Sequence, residues 1–246
     1  MRNVMALLRR ELNAYFASVL GYVVTIMFLF VMGRTFYQIV LVFRERPMQM
    51  GPMEALFGMF WFPALFIVPA ITMRLLSEEK RSGTIEMLMT APVTDFQVVL
   101  AKYLGAVILY TLMWAVTGLY ILILRHFIGE GASLDLKQIL AGYICVLVMG
   151  QFFVAVGLLA SALTKNQVIA AVLAVSAIFG FIIVTFWQGT TAQGEMAAFF
   201  RYVSPFEHIR GFSRGLVDLR PLVLYATGTV VALFATTRIV ESRKWR

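Results

Sequence analysis

The chain has 246 residues, of which 61% are hydrophobic and 14% are charged, and its mean hydropathy is +0.84. Soluble domains average about 45–50% apolar and about 25% charged residues, so this composition excludes a disordered chain and argues against a single soluble domain. The formal charge of +8 suits the basic flanks of membrane segments better than a nucleic-acid partner. Cys145 is the single cysteine, so the chain forms no internal disulfide and no cysteine-based metal site.

The first predicted element is an amphipathic helix over residues 1–16. Apolar side chains recur at helical spacing at Met5, Leu8, Leu12 and Tyr15 or Phe16, while the arginines fall elsewhere on the helical wheel. A basic helix with one apolar face lies along a membrane surface. The alternative is a simple extension of the first span. The apolar run that follows starts too late and is too long for a cleavable signal peptide.

Six stretches are long and apolar enough to cross a bilayer, which takes roughly 20 residues. We predict spans at 17–43, 56–76, 98–124, 138–163, 168–187 and 221–237. The chain is thus predicted to be an all-α polytopic membrane protein with a single domain. Its predicted parts are the interfacial helix 1–16, spans one and two in 17–76, a polar loop 77–97, spans three to five in 98–187, an outer segment 188–220, and span six with a basic tail in 221–246.

An even number of spans places both termini on one side of the membrane. Twelve basic residues fall on that side and nine on the other. Because cytoplasmic loops carry the excess of lysine and arginine, both termini are predicted to be cytoplasmic.

The cytoplasmic loop 77–97 holds a second amphipathic helix between two turns. Its charged run, Glu78 to Arg81, does not fit inside lipid, and Gly83 interrupts the chain. The following residues place three apolar side chains on one helical face, and Pro92 ends the helix. Those side chains are Ile85, Leu88 and Met89. An apolar face that meets neither lipid nor a core predicts a protein partner, although a solvated loop is the simpler alternative.

The next helix is predicted to begin at Thr94, because Thr94 and Gln97 have the spacing of a capping box. The outer segment 188–220 mixes five aromatic residues with four arginines. This pattern is typical of interfacial or re-entrant helices, which need protein around them at membrane depth. Arg34, near the outer end of span one, either marks a functional site or extends its side chain to the head groups.

Metal and catalytic signals in the chain are weak. Met48, Met50 and Met53 could offer thioether ligands to Cu(I), but methionine is also an ordinary packing residue. His126 and His208 are isolated. The pair Glu78–Glu79 does not complete a membrane-protease motif, because Gly83 stands where that motif needs arginine.

Three segments resemble the membrane subunit of ABC-2 type transporters. The first is EEKRSGTIEMLMTAPV at 78–93, followed by Lys102 and Gly105; the second is SPFEH at 204–208; the third is the closing stretch 233–246. The last two resemble the branch that contains the gliding-motility permease and the nitrous-oxide-reductase maturation permease. In this family the first segment is the coupling helix, which fits the nucleotide-binding subunit.

The resemblance implies two sets of functional residues. The residues expected to couple to the ATPase are Glu78, Glu79, Arg81, Gly83, Thr84, Glu86, Leu88 and Pro92. The expected outer-segment motif is Ser204, Pro205, His208 and Gly215. The chain has no phosphate-binding P-loop, so ATP and Mg²⁺ are expected on a separate cytosolic ABC ATPase. The resemblance also implies a second permease subunit, a bacterial or archaeal inner membrane, and no cofactor bound by the chain itself.

The leading hypothesis is therefore an ABC-2 permease subunit, acting as an exporter and driven by a docked ATPase. A second hypothesis retains the ATPase partner but involves no transport. In that case ATP binding drives mechanical work or assembly in an envelope machine. A membrane enzyme or channel is the third possibility, and it is disfavoured because the spans hold few polar side chains.

Overall fold

A computed structural model describes residues 2–45, 51–84, 93–128, 135–191 and 193–242. All regular secondary structure in these ranges is helical, which confirms the predicted all-α class. The helices in chain order are α1 (Arg2–Phe16), α2 (Val19–Glu45), α3 (Pro52–Gly58), α4 (Trp61–Thr72), α5 (Ser77–Ser82), α6 (Asp95–Thr117), α7 (Leu119–Ile128), α8 (Leu136–Leu163), α9 (Gln167–Thr191), α10 (Gly194–Val203), α11 (Pro205–Ser213) and α12 (Leu219–Glu241).

Six helical stretches in the described residues are long and apolar enough to span a membrane, as the sequence predicted. They are Val19–Glu45, Trp61–Ser82, Asp95–His126, Leu136–Leu163, Gln167–Thr191 and Leu219–Glu241. We call the side that carries α1, α5 and the end of α8 the N-terminal side, and the other the opposite side. Because the number of spans is even, α12 also ends on the N-terminal side.

Helix α8 lies at the centre of the bundle and packs against α4, α6, α9, α11 and α12. Three of its glycines make this possible, since a Cβ atom at each would overlap a neighbouring side chain. Gly142 faces Phe57 of α3, while Gly150 faces Tyr110 of α6. At the third position, Gly157, the overlap would be with Thr72 of α4. Small residues that admit close neighbours are the usual basis of helix packing in membranes, where burial of apolar surface does not drive association.

The outer helices present apolar side chains outward instead of burying them. Phe30 of α2 is 73% exposed, and Val172 of α9 and Phe234 of α12 are also well exposed. A soluble protein would not expose large apolar surfaces on three long helices, whereas lipid is a suitable environment for them. The arrangement is therefore that of a membrane protein with a packed centre and a lipid-facing rim.

One predicted span differs from the observed helices. The predicted second span starts at residue 56, but the structure places residues 52–58 in the separate helix α3 and begins α4 at Trp61. Hydropathy alone did not reveal this break, because the residues on both sides of it are apolar. The predicted third span lies within the helical stretch Asp95–His126, in which Gly118, between α6 and α7, keeps right-handed helical backbone angles.

The N-terminal helix forms as predicted, and most of its predicted apolar face is turned inward. Leu8, Leu12 and Tyr15 are half-buried, whereas Met5 and Phe16 are exposed. Helix α1 packs along α6, and its inward face includes the charged residue at position 11. Contact with α6 therefore sets the orientation of α1. Of the alternatives Tyr15 and Phe16, Tyr15 is the one that faces inward, and Met5 is the predicted apolar-face residue that points away from the protein.

The predicted outer segment 188–220 is largely helical. Helix α9 extends into it as far as Thr191, and α10 and α11 follow. Helix α10 packs against α9, while α11 packs against α3 and α8.

Candidate functional site

The short helix α5 follows span helix α4 on the N-terminal side, within the segment 77–97 that the sequence singled out. Acidic side chains occupy its first turn and basic side chains its last turn, an order that matches the helix dipole. The helix ends at Gly83, whose φ of +73° is a left-handed conformation that glycine adopts without strain. The next described helix begins at Thr94, where the predicted capping box is confirmed: Thr94 accepts from the Gln97 amide and Gln97 accepts from the Thr94 amide.

One side of α5 is held by an ion cluster that joins three helices around a buried lysine. Lys102 of α6 places its Nζ 2.8 Å from Glu79 Oε1 and 3.1 Å from Glu11 Oε1. Arg10 Nη2 contacts the same two oxygens, that of Glu11 at 3.2 Å and that of Glu79 at 3.3 Å. The Lys102 side chain is only 4% exposed, and a buried ammonium is tolerated only when it is paired. The cluster is electrically neutral and ties α5 to α1 and α6.

The other side of α5 is held by hydrogen bonds to the end of α8. Ser161 Oγ accepts from the backbone N–H groups of Leu76 and Ser77, both at 3.1 Å, and donates to the Met73 carbonyl at 3.1 Å. A hydroxyl has one proton and two lone pairs, so this buried side chain is fully satisfied. Lys80 Nζ donates to the Ala162 carbonyl. Helix α5 is therefore fixed between α6 and α8.

The base of α5 carries one further ion pair. Arg74 binds Glu78 with two hydrogen bonds, Nε to Oε2 at 2.7 Å and Nη2 to Oε1 at 3.0 Å. Tyr15 of α1 donates its hydroxyl to the Ile71 carbonyl at 3.1 Å, and burial raises the pKa of this phenol, so it stays protonated. Arg74, Glu78 and Tyr15 together join α1 to the end of span two.

The predicted coupling residues fall into three groups. Glu78 and Glu79 belong to the ion pairs described above. Arg81, Gly83 and Thr84 are exposed at the end of α5. Glu86, Leu88 and Pro92 lie outside the described residues. The sequence missed Glu11 and Ser161 as partners of this segment, because they come from distant parts of the chain and have no local motif. It also missed the role of Lys80, which lies in the segment itself but acts through the carbonyl of Ala162.

The predicted outer motif surrounds a buried histidine. His208 Nε2 lies 2.9 Å from the Tyr202 carbonyl oxygen, which can only accept, so Nε2 carries the proton. Nδ1 is then the acceptor for the Tyr225 hydroxyl, 2.8 Å away on α12. Burial lowers the pKa of His208, and the Tyr202 carbonyl, Asp218 and Glu207 oppose that shift more weakly.

The rest of this motif shapes the backbone. Ser204 and Pro205 start α11, and a proline is compatible with the first turn of a helix. Gly215 has φ +80° and donates its N–H to the Phe212 carbonyl at 2.8 Å, which closes the turn after α11. The motif thus links α10, α11 and α12 on the opposite side, far from α5.

The proposed methionine ligands are not brought together within the described residues. Met53 is buried in the core of the bundle, while Met48 and Met50 lie outside the described residues. No group of three or more histidine, cysteine, aspartate or glutamate side chains suited to a metal occurs in the part of the chain that the structure describes. The copper site stays a prediction.

The six apolar spans and the packed centre define a polytopic α-helical membrane protein. A family model described as "ABC-2 family transporter protein" matches residues 48–209, a range that contains α3 to α10 and most of α11. This match covers more than half of the chain, and the chain belongs to the ABC-2 transporter family. A comparison with individual curated proteins found no match.

Membership in the family has direct consequences for what the chain is. It is a permease subunit of an ABC transporter, and such permease domains are membrane components, not catalytic ones. The family implies an ABC ATPase partner and, typically, a dimeric arrangement.

Proposed function

We propose that the ATPase subunit docks on the segment 77–97, that the N-terminal side is cytoplasmic, and that the complex is an exporter in the inner membrane. The observation that carries this proposal is the anchoring of α5 on two sides, with its end left exposed. Arg81, Gly83 and Thr84 are accessible to a partner, while Glu79 and Lys80 hold the same helix to α6, α1 and α8.

This anchoring gives the proposed docking site a mechanical consequence. A force applied at the exposed end of α5 reaches α6 through the Lys102–Glu79 contact and α8 through the bonds of Ser161. Closely packed helices move as units, because their interfaces are not continuously deformable. ATP binding and hydrolysis on the partner would thereby shift spans three and four, with ATP and Mg²⁺ held by the partner.

The proposed orientation rests on charge. The N-terminal side carries twelve basic residues and the opposite side nine, and the excess belongs on the cytoplasmic side. We propose a second permease subunit, identical or related, because one six-span chain supplies one coupling segment and an ABC ATPase acts as a pair. The resemblance of residues 204–218 and 233–246 supports placing the chain in the branch of the gliding-motility and nitrous-oxide-reductase maturation permeases.

The docking proposal is tested with a charge reversal at the exposed end of α5. Arg81→Glu is expected to lower the amount of ATPase that co-purifies with the tagged chain by about tenfold, the effect of losing roughly 1.4 kcal/mol of binding energy. The matched control is Arg125→Glu, which reverses an exposed arginine near the end of α7 on the opposite side. Equal recovery of the ATPase with both variants would contradict docking at this segment. A double variant, Glu79→Ala with Leu88→Asp, extends the test to the remainder of the predicted helix.

A second measurement on the same complex distinguishes transport from the rival function, which is ATPase-driven work without transport. The purified complex in sealed vesicles is expected to accumulate or release a substrate only with ATP. An ATPase that is regulated by the permease but moves no solute or lipid would favour the mechanical alternative.

A further inference from the structure

A cavity of about 880 Å³ opens on the N-terminal side between α1, α2, α4, α5 and α6. One part of its lining is apolar and the other part is charged. The apolar part consists of Leu20, Val24, Ala70, Ile71, Leu75 and Leu109. The charged part consists of Arg10, Arg74, Lys102, Glu11, Glu78 and Glu79. A ligand that fills this cavity must therefore be amphipathic.

The location of the cavity points to a lipid. Its apolar lining comes from the span helices α2, α4 and α6 and from Leu75 beyond α4. Its charged lining comes from α1, α5 and the ends of the neighbouring spans on the N-terminal side. Water is unfavourable in the apolar part, because it finds no hydrogen-bond partners there. An acyl chain fills the same space and buries apolar surface on both partners.

The charged lining favours a particular head group. Three cationic and three anionic side chains give it no net charge, which suits a zwitterion better than an anion. Arg10 is half exposed and uses only Nη2 for hydrogen bonds within the described residues, so its Nε and Nη1 remain as donors for a phosphate. Glu78 is 41% exposed, and Arg74 occupies only one acceptor position on each of its oxygens. An ammonium group that donates hydrogen bonds can use the remaining positions.

We propose that this cavity binds a phospholipid with a primary-amine head group, of the phosphatidylethanolamine type. The phosphate binds Arg10, the ammonium binds Glu78, and an acyl chain lies along the apolar lining. The bound lipid bridges α1 and α5 beside the ion cluster. The proposal requires only that the chain spans a membrane, so it stands or fails separately from the ATPase docking site.

The direct test compares two lipids that differ only in the head-group amine. The 246-residue chain in detergent is titrated with dioleoyl phosphatidylethanolamine or with dioleoyl phosphatidylcholine, and bound lipid is counted by native mass spectrometry. Phosphatidylethanolamine is expected to bind about tenfold more tightly, because a quaternary ammonium donates no hydrogen bond to Glu78. Equal binding of the two lipids would overturn the proposal.

Two variants locate the lipid in this cavity. Ala14→Phe inserts a ring at a residue that lines the cavity and is expected to reduce phosphatidylethanolamine binding to the level of phosphatidylcholine. Ala6→Phe makes the same change at an exposed alanine of α1 outside the lining and is expected to leave binding unchanged. Identical behaviour of the two variants would place the lipid elsewhere and contradict the proposal.

Two further experiments test the roles of the lipid head group and of the acyl chains. Glu78→Gln is expected to abolish the preference for phosphatidylethanolamine over phosphatidylcholine, while both lipids still bind. Glycerophosphoethanolamine, which has the same head group without acyl chains, is expected not to compete, because it makes no contact with the apolar lining. Competition by this soluble head group would show that the site takes a free phosphate ester and not a lipid.

Discussion

At the scale of the residue, Lys102 shows how this chain keeps a charge inside an apolar protein. The side chain is almost fully buried, and its ammonium meets Glu79 and Glu11 within 3.1 Å. Glu11 lies 91 residues earlier in the sequence. Glu11 carries no local signal of its own, and only the packing of α1 against α6 brings it to the cluster.

Replacing this lysine tests the cluster. Lys102→Met keeps the apolar stem but leaves Glu79 and Glu11 without their buried cation, and Glu79 Oε2 already has no partner in the described residues. Breaking a buried pair from one side costs about 3–5 kcal/mol, and we expect the lower end because Arg10 stays in contact. The measurement is thermal unfolding in nanodiscs. Lys165→Met, at an exposed lysine between α8 and α9, is the control and should change stability by less than about 0.5 kcal/mol. Equal unfolding temperatures for both variants would show that the cluster does not stabilise the fold.

The buried His208, on the opposite side of the bundle, predicts that the stability of the fold depends on pH. Burial lowers its pKa in the folded protein below the usual value, so the unfolded chain binds a proton more readily. The contribution of neutral His208 to the stability of the fold is therefore fully present above the unfolded pKa of about 6.5. It is lost as the pH falls below that value toward the folded pKa. We expect the unfolding temperature to drop between pH 7.5 and pH 5.5. His208→Gln should show a smaller drop, and an unchanged drop would assign the pH dependence to other groups.

At the scale of the element, the sequence predicted the helices well where a local signal exists. The six spans follow from hydropathy, and the start of α6 follows from the capping box at Thr94. The separate helix α3 was missed, because apolar residues continue from α3 into α4. The two-sided anchoring of α5 was missed for a different reason: Ser161 and Lys80 act through hydrogen bonds that depend on the packing of α5 against α8.

Close packing of α8 is the property of this element that mutation can test most directly. Gly157→Ala places a methyl group against Thr72 and is expected to destabilise the protein by about 1–3 kcal/mol. Gly180→Ala makes the same change in α9, where a Cβ meets nothing within 4 Å. There the added helix propensity should stabilise the protein by about 0.5–1 kcal/mol. Unfolding of the two variants by heat should therefore shift in opposite directions, and a shift in the same direction would contradict the role of Gly157 in packing.

At the scale of the whole molecule, different contacts join the helices on the two sides of the bundle. The N-terminal side joins α1, α5, α6 and α8 through ion pairs and hydrogen bonds, whereas the opposite side joins α10, α11 and α12 around His208. The centre between them is apolar and built on glycines of α8. Such a molecule transmits movement from one side to the other only by shifting whole helices.

The orientation of this asymmetric molecule is a property of the whole chain and is measurable with single cysteines. Lys165 and Gln193 are exposed and lie on opposite sides of one span, α9. The native Cys145 is buried, so an impermeant maleimide should not label it in the folded protein. With both termini in the cytoplasm, as proposed, Gln193→Cys is expected to be labelled from outside on intact cells or sealed spheroplasts. Lys165→Cys is then expected to be labelled only after the membrane that holds the protein is permeabilised. The reverse pattern would invert the topology and place α5 where no cytosolic ATPase reaches it, so one experiment decides whether the docking proposal is geometrically possible.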